Sequence, residues 1–224
     1  MSSIDVYKYP DEDVLINLFD CHDQTELQKL EAKSTAYNIL YLQMNPIEGN
    51  FDFDHLKAIH RFIFQDIYEW AGEIRTVDIG KNNIFCRVQF INSYAENVFS
   101  DYFSSCFAAK SNRNEFIRTF TSHYADLNAL HPFREGNGRS QREFARELCL
   151  KCGYTFDLTH TNHKDMLEAS IESFNTFSNE KLLNIFSKCV IPVNEYKNYQ
   201  EKLTTSLLIF SKDDIPSDFN IKLN

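Results

Sequence analysis

Apolar side chains recur at helical spacing along most of the chain, and this pattern predicts a mainly α-helical protein. In the segment 54–70, for example, Leu56, Ile59 and Ile63 fall on one stripe. The same spacing predicts further helices over 23–43, 94–110, 115–130, 140–153, 164–177 and 180–190. The predicted fold class is therefore all-α.

The segment 75–90 departs from this pattern. Its apolar residues alternate with polar ones on both sides of a Gly-Lys-Asn-Asn turn, which is typical of a short β-hairpin. An exposed hairpin edge can bind an extended peptide with little demand on its sequence. The candidate contact residues are Ile79, Gly80, Lys81 and Asn82, although an ordinary surface turn explains each of them equally well when it is taken singly.

Length and charge narrow the class of protein. A chain of 224 residues is long enough for one full core, and we predict a domain over 1–190 and a C-terminal extension over 191–224 that is helical and then frayed. The net charge of -9 argues against direct nucleic-acid binding, which depends on neutralising phosphates.

Targeting and redox signals are absent from the sequence. No basic region followed by an apolar run marks a signal peptide, and no apolar stretch is long enough to span a membrane. We therefore expect a cytoplasmic protein whose six cysteines are reduced. Cys149 and Cys152 have the spacing of a metal or redox pair, but no second pair accompanies them, so core packing is the better interpretation.

The run His-Pro-Phe-Arg-Glu-Gly-Asn-Gly-Arg-Ser-Gln-Arg over 131–142 concentrates the chemistry of the chain. It combines a base, a carboxylate, two glycines and three arginines at the start of a predicted helix, and of the arginines only Arg134 is given no role. A turn that ends at a helix N-terminus favours anions, and glycines let backbone N–H groups approach phosphate oxygens. These are the parts needed to hold a polyphosphate with its metal and to activate an attacking hydroxyl.

Each of these residues also has a plainer explanation. A lone histidine such as His131 is more often structural than catalytic, Glu135 could cap the helix, and Gly-Asn-Gly alone would be a turn. The spacing of the histidine, the carboxylate and the glycines within one run favours the functional interpretation for His131.

The same run resembles the core motif of the Fic family, His-x-Phe-x-(Asp/Glu)-Gly-Asn-Gly-Arg-x-x-Arg, and matches it at every fixed position. The resemblance extends over a core of about 49–174. It implies a Fic-type helical bundle with a β-hairpin flap beside the active site. It also implies a protein adenylyltransferase that moves AMP from ATP to a hydroxyl side chain of a target protein.

The resemblance implies a role for each motif residue. His131 would be the catalytic base, Glu135 would hold Mg²⁺, and Phe133 would anchor the loop. The residues implied in binding ATP and its phosphates are Gly136, Asn137, Gly138, Arg139 and Arg142.

Fic proteins are commonly restrained by a helix with the motif Ser/Thr-x-x-x-Glu-Gly/Asn, whose glutamate pairs with the second arginine of the core motif. The sequence contains no match to this inhibitory motif. The resemblance then implies a toxin-like bacterial protein held by a small separate antitoxin that would dock against Arg142. Relatives of that class modify type II topoisomerases, namely DNA gyrase or topoisomerase IV, and the modified residue would be a serine, threonine or tyrosine.

Three other interpretations stay open at this point. The chain could be the Fic domain of a secreted effector that acts in a host cell, or it could use another nucleotide. A third alternative is a helical binding module without catalysis, against which the intact motif argues. A neighbouring gene for a small antitoxin would favour the toxin.

Overall fold

The computed structural model describes residues 5–80 and 83–195, and this part of the chain is built mainly from α-helices, as predicted. The helices are α1 Gln24–Met44, α2 Phe53–Phe64, α3 Ile91–Phe99, α4 Tyr102–Ala109, α5 Arg113–Leu130, α6 Asn137–Lys151, α7 His163–Thr176 and α8 Glu180–Cys189. Across 5–80 and 83–195, none of the helices combines the length and the apolar character that a bilayer crossing requires.

Polar side chains mark where several helices begin. The carboxylate of Asp23 accepts a hydrogen bond from the backbone N–H of Glu26 at 2.8 Å and so caps α1. The side chains of Asn112 and Asn162 cap α5 and α7 in the same way. Such caps satisfy N–H groups that have no partner within the helix. Each cap acts within three residues along the chain and can be recognised before the fold is known. The helix starts that the caps mark therefore lie close to the predicted ones.

Two predicted helices differ from the structure. Helix α2 ends at Phe64 rather than at position 70, because the N–H groups of Ile67 and Tyr68 both turn back to the Phe64 carbonyl. The predicted helix 94–110 is divided into α3 and α4 at Asp101, whose φ of -137° and ψ of 6° are not helical. Both halves bury apolar residues in the same core, so their helical periodicity continues across the break.

Helix α6 lies at the centre of the fold and packs against α2 and α5. It begins at Asn137, three residues before the predicted start at position 140. Its Phe144 and Leu148 are fully buried against Ile59 and Ile63 of the α2 stripe in one continuous core. The early start makes Gly136 the N-cap residue and places Gly138 and Arg139 in the first turn of the helix.

The core also holds an ionic cluster. Arg146 of α6 is buried despite its charge. Its guanidinium donates two hydrogen bonds to Glu143, at 2.9 and 2.6 Å. The neighbouring Glu147 lies 3.2 Å from Nε2 of His55 on α2. Buried charges require partners of this kind, and this network joins α6 to the start of α2.

A small sheet was not predicted. Strands β1 Tyr154–Phe156 and β2 Val190–Pro192 pair antiparallel, with Thr155 opposite Ile191. Three residues are too few for an alternating pattern to be recognised. Strand β2 crosses the predicted boundary between 190 and 191. Residues 196–224, which include most of the predicted extension, lie outside the described residues, and the domain division stays a prediction.

The predicted hairpin is present in a reduced form. An antiparallel bridge joins Gly80 to Ile84, and the N–H of Phe85 donates to the carbonyl of Ile79 at 3.2 Å. Two of the four candidate contact residues, 81 and 82, lie outside the described residues. We call the segment 77–86 the flap.

Candidate active site

A cavity of about 720 Å³ opens between α1, α6 and α7. The part of the 131–142 run that lines it comprises His131, Glu135, Gly136, Gly138, Arg139, Gln141 and Arg142. Its volume lies within the range of small-molecule and cofactor sites. The structure therefore brings the candidate base, the candidate metal ligand and both arginines to one cavity. Ile79 and Gly80 of the flap do not line it.

His131 is held in a defined orientation. It follows the last residue of α5 with a left-handed φ of 44°, and its Nδ1 lies 3.0 Å from the carbonyl oxygen of Asn128. A carbonyl can only accept, so Nδ1 carries the hydrogen and Nε2 keeps its lone pair. The ring stacks on Phe85 of the flap with their centroids 3.7 Å apart. The flap thus covers one face of the candidate base.

The environment of His131 keeps it neutral. Burial lowers its pKa to about 4, and the charge of Arg75 acts in the same direction, while the hydrogen bond to Asn128 raises it. Desolvation disfavours the charged imidazolium, which explains the direction of the shift. At neutral pH the ring is therefore unprotonated at Nε2 and able to accept a proton.

The side-chain amide of Asn137 binds the backbone of the loop before α6. Its Oδ1 accepts from the backbone N–H of Phe133 at 2.9 Å, and its Nδ2 donates to the Phe133 carbonyl at 2.8 Å. The side chain is buried and does not line the cavity. The amide therefore closes the turn before α6, and the implied part of Asn137 in binding phosphate stays a prediction.

Phe133 and His60 lie on the core side of the loop that precedes α6. Phe133 is fully buried, and its ring stacks on that of His60 at 3.8 Å. Nδ1 of His60 accepts from the N–H of Gly72, so its Nε2 donates to the backbone carbonyl of Glu135, 3.0 Å away. Burial lowers the pKa of His60 to about 3, which keeps this arrangement of protons in place. Phe133 thus packs beneath the loop, and its implied role as the anchor stays a prediction.

The two glycines of the run have different reasons to be glycine. Gly136 has a φ of +80°, and a Cβ there would lie 2.2 Å from Cζ of Phe64. At Gly138 a Cβ would lie 3.0 Å from Nη1 of Arg142. Gly136 therefore allows the chain to pass over the Phe64 ring, and Gly138 leaves room for the arginine beside the start of α6.

The charged residues of the cavity are close to one another. One oxygen of Glu135 accepts from the N–H of Gly136 at 2.8 Å and lies 3.4 Å from Nη2 of Arg139. Arg139 also pairs with Glu31 of α1 at 2.5 Å. Arg142 lies one helical turn beyond Arg139 and lines the same cavity.

The donor set fits a metal that is shared with phosphates. Within 5–80 and 83–195, no group of three or more histidine, cysteine, aspartate or glutamate side chains could hold a metal ion. Glu135 is a single carboxylate, half exposed, at the edge of the cavity. Mg²⁺ commonly takes one or two carboxylates and completes its shell with phosphate oxygens and water, so this arrangement is compatible with Mg²⁺ but not with a closed all-protein site.

Arg75 is a residue of the site that was not predicted. Arg75 is fully buried, and its guanidinium donates to the carbonyls of His131 at 2.9 Å, Val77 at 2.9 Å and Cys86. It therefore ties both sides of the flap to the residue that carries the candidate base. This role could not be predicted, because the His131 carbonyl lies 56 positions from Arg75 along the chain.

Comparison with known proteins assigns this chain to a family. Residues 50–149 match the model of the Fic/DOC family. The protein named probable protein adenylyltransferase y4lH of Sinorhizobium fredii is 37% identical over 168 residues, which cover 74% of this chain and 86% of that protein. The chain belongs to the Fic/DOC family. The resemblance drawn from the 131–142 run is thereby confirmed.

Other Fic relatives agree with this assignment. Protein adenylyltransferase VbhT of Bartonella schoenbuchensis is 38% identical over 183 residues, which cover 81% of this chain but only 38% of that longer protein. The crystal structure of the N-terminal Fic domain of a VirB-translocated Bep effector from Bartonella quintana, with bound ADP, has a TM-score of 0.79 at 25% identity and covers 83% of this chain and 94% of that one. The predicted Fic-type bundle and the predicted enzyme class, protein adenylyltransferase, are confirmed.

Proposed function

We propose that this Fic protein transfers AMP from ATP to a hydroxyl side chain of a target protein. The observation that carries the proposal is the geometry of the cavity, in which a neutral His131 with an unprotonated Nε2 shares one space with Glu135 and both arginines. The names of the curated relatives support the reaction, and the ADP held by the Bartonella quintana domain supports an adenine nucleotide.

The reaction requires one proton acceptor and one leaving group. The target oxygen forms a bond to the α-phosphorus of ATP while the bond from that phosphorus to the bridging oxygen of the β-phosphate breaks. The hydroxyl proton passes to Nε2 of His131, and pyrophosphate leaves with the electron pair of the broken bond. The hydrogen bond from Nδ1 to Asn128 keeps the ring in the tautomer that this step needs.

The remaining groups would orient the nucleotide and neutralise its charge. Arg139 and Arg142 provide planar donors suited to the oxygens of the β- and γ-phosphates. The N-terminus of α6 presents backbone N–H groups to an anion, and Gly136 and Gly138 line the cavity beside it. Glu135 is the residue that would hold Mg²⁺, which when bound supplies positive charge to the phosphate oxygens.

Transfer of label tests the reaction and its nucleotide together. We expect the purified chain, incubated with Mg²⁺ and a bacterial lysate, to label a discrete protein from α-labelled ATP but not from γ-labelled ATP, because the α-phosphate alone stays on the target. Parallel reactions with α-labelled UTP and GTP test the alternative nucleotides. Label from γ-labelled ATP would contradict AMP transfer and indicate a phosphotransferase.

The pH dependence of transfer follows from the pKa of His131. A general base works when it is unprotonated, so a pKa lowered to about 4 leaves it active throughout the range above pH 5. The pKa of the free enzyme appears in kcat/KM, so we expect kcat/KM for ATP at pH 5.5 to stay within about twofold of its value at pH 7.5. An ordinary histidine, with a pKa near 6.5, would give a value about tenfold lower at pH 5.5. A tenfold fall in kcat/KM would therefore contradict the proposed environment of the base.

Two protein partners are also proposed, a small antitoxin and a target that receives AMP. A small antitoxin that supplies an inhibitory glutamate to Arg142 is supported by the position of Arg142 on the cavity wall. A type II topoisomerase as target rests on the Fic resemblance alone. Labelling of a topoisomerase in the bacterial lysate would support the toxin, whereas labelling confined to a eukaryotic lysate would support a host-targeting effector.

A further inference from the structure

Helix α1 forms one wall of the cavity and holds Arg139 from the side opposite to the 131–142 run. Nη2 of Arg139 donates to the carboxylate of Glu31 at 2.5 Å. Nη1 donates to the hydroxyl oxygen of Thr35 at 3.2 Å. Glu31 and Thr35 are four residues apart on α1 and therefore lie on the same face of the helix. Both terminal nitrogens of the guanidinium are thus held by one helix.

The two acceptors on α1 are themselves held in place. The hydroxyl of Thr35 donates its proton to the backbone carbonyl of Glu31 at 2.8 Å, which leaves its oxygen lone pairs for Arg139. The hydroxyl of Tyr68 donates to the carboxylate of Glu31. Burial and the charge of Glu31 both raise the pKa of Tyr68, so the phenol remains a donor over the physiological range. We call Glu31, Thr35 and Tyr68 the α1 clamp.

An aromatic ring restricts the guanidinium further. Cζ of Arg139 lies 4.7 Å from the centroid of Phe64, a distance typical of a cation–π contact. The Glu31 side chain is 13% exposed, whereas that of Glu135, the second carboxylate beside Arg139, is 46% exposed. Both carboxylates line the cavity, and Glu31 is the more shielded partner of the arginine.

We propose that Glu31, through the α1 clamp, positions the guanidinium of Arg139 for the β- and γ-phosphates and so makes α1 part of the nucleotide site. A guanidinium has five N–H donors, and a group already held in its binding orientation loses less entropy when phosphate binds. The proposal rests on the proposed function only for the identity of the nucleotide. The opposite role, in which Glu31 withholds Arg139 from phosphate, would change the sign of the effect measured below.

A double-mutant cycle in ligand binding tests this role. We expect Glu31→Gln to weaken ATP binding about tenfold, because the carboxylate acceptor is lost, and to change AMP binding less than twofold. In the Arg139→Ala background the same change should alter ATP binding less than twofold. Titration calorimetry with ATP, AMP and tripolyphosphate, each with Mg²⁺, measures these constants. Glu26→Gln, on an exposed turn of the same helix, is the matched control and should bind as the wild type does.

A purely structural role for Glu31 would affect AMP as much as ATP and would persist in the Arg139→Ala background. Either result overturns the positioning role, and so does tighter ATP binding by Glu31→Gln. Tyr68→Phe removes only one hydroxyl and guards against loss of folding in Glu31→Gln. It should weaken ATP binding in the same direction and spare AMP, and unchanged ATP binding would also overturn the clamp.

The proposed nucleotide and the proposed clamp fail in different ways. If tripolyphosphate binds with the expected dependence on Glu31 while ATP does not bind, the clamp is supported and the proposed function is wrong. If ATP binds equally well to wild type and Glu31→Gln, the clamp is wrong and the proposed function stands. Absence of binding of every probe to the wild type would overturn both.

Discussion

His131→Ala is expected to lower kcat for AMP transfer about 10³-fold, which is the middle of the range for loss of a general base. The ring is the group in the cavity that combines a defined tautomer, an unprotonated Nε2 and a pKa lowered to about 4. Its removal should leave the phosphate contacts of the arginines in place, so the affinity for ATP should change less than about threefold. Initial rates of label transfer at saturating ATP, with calorimetric titration of ATP, measure both quantities.

Two further variants serve as controls. One tests the effect of the left-handed backbone at position 131, and the other tests the loss of a histidine outside the cavity. Because His131 has a left-handed φ of 44°, His131→Asn is a useful second variant, since asparagine tolerates that conformation better than most residues. It should be as inactive as His131→Ala. His160→Ala replaces a partly exposed histidine that does not line the cavity and should keep full activity. Retention of more than a tenth of kcat by both His131 variants would mean that another group accepts the proton.

Gly136→Ala is expected to lower the free energy of unfolding by about 3 kcal/mol, as the sum of a strained backbone and an overfilled core. The residue has a φ of +80°, and the added Cβ would lie 2.2 and 2.3 Å from two atoms of the Phe64 ring. Phe64 is fully buried and stacks on His60 with centroids 4.7 Å apart, so its ring cannot move away without disturbing the loop. Urea unfolding measures the change, and ATP binding should be lost with it.

Gly153→Ala separates the two contributions. Gly153 has a similar φ of +89°, but a Cβ there meets nothing within 4 Å. We expect a cost of about 1 kcal/mol, which is that of the left-handed backbone alone. The difference between the two variants then measures the clash with Phe64. Equal costs would show that the loop before α6 yields to the added methyl group, contrary to the packing described here.

The features of the site that could be predicted depend on residues that lie close together in the sequence. The base, the carboxylate and both arginines lie within twelve positions, and a helix turn brings Arg139 and Arg142 to the same cavity. The chemistry of these residue types and their spacing therefore indicate a phosphate site before any fold is known. The roles of the individual residues remain predictions that the variants above test.

The contacts of the site that were not predicted join segments far apart in the sequence. Arg139 and Glu31 are 108 positions apart, and Arg75 and His131 are 56 positions apart. Neither pair has a local pattern that distinguishes it from surface charges. Asn137 shows the same limit at short range, because a Gly-Asn-Gly turn does not reveal whether the amide points to the cavity or, as found, to the Phe133 backbone.

The sequence by itself determined the mainly helical architecture, several helix starts and the chemical types gathered in the 131–142 run. Periodicity and caps act over three or four residues, so one chain is enough to recognise them. Only the tertiary structure decided that Arg146 is buried, that α3 and α4 are separate, that Asn137 closes the loop, and that α1 holds Arg139 through Glu31. These outcomes depend on which helix faces meet in the packed core, and a single sequence does not encode that choice in any local pattern.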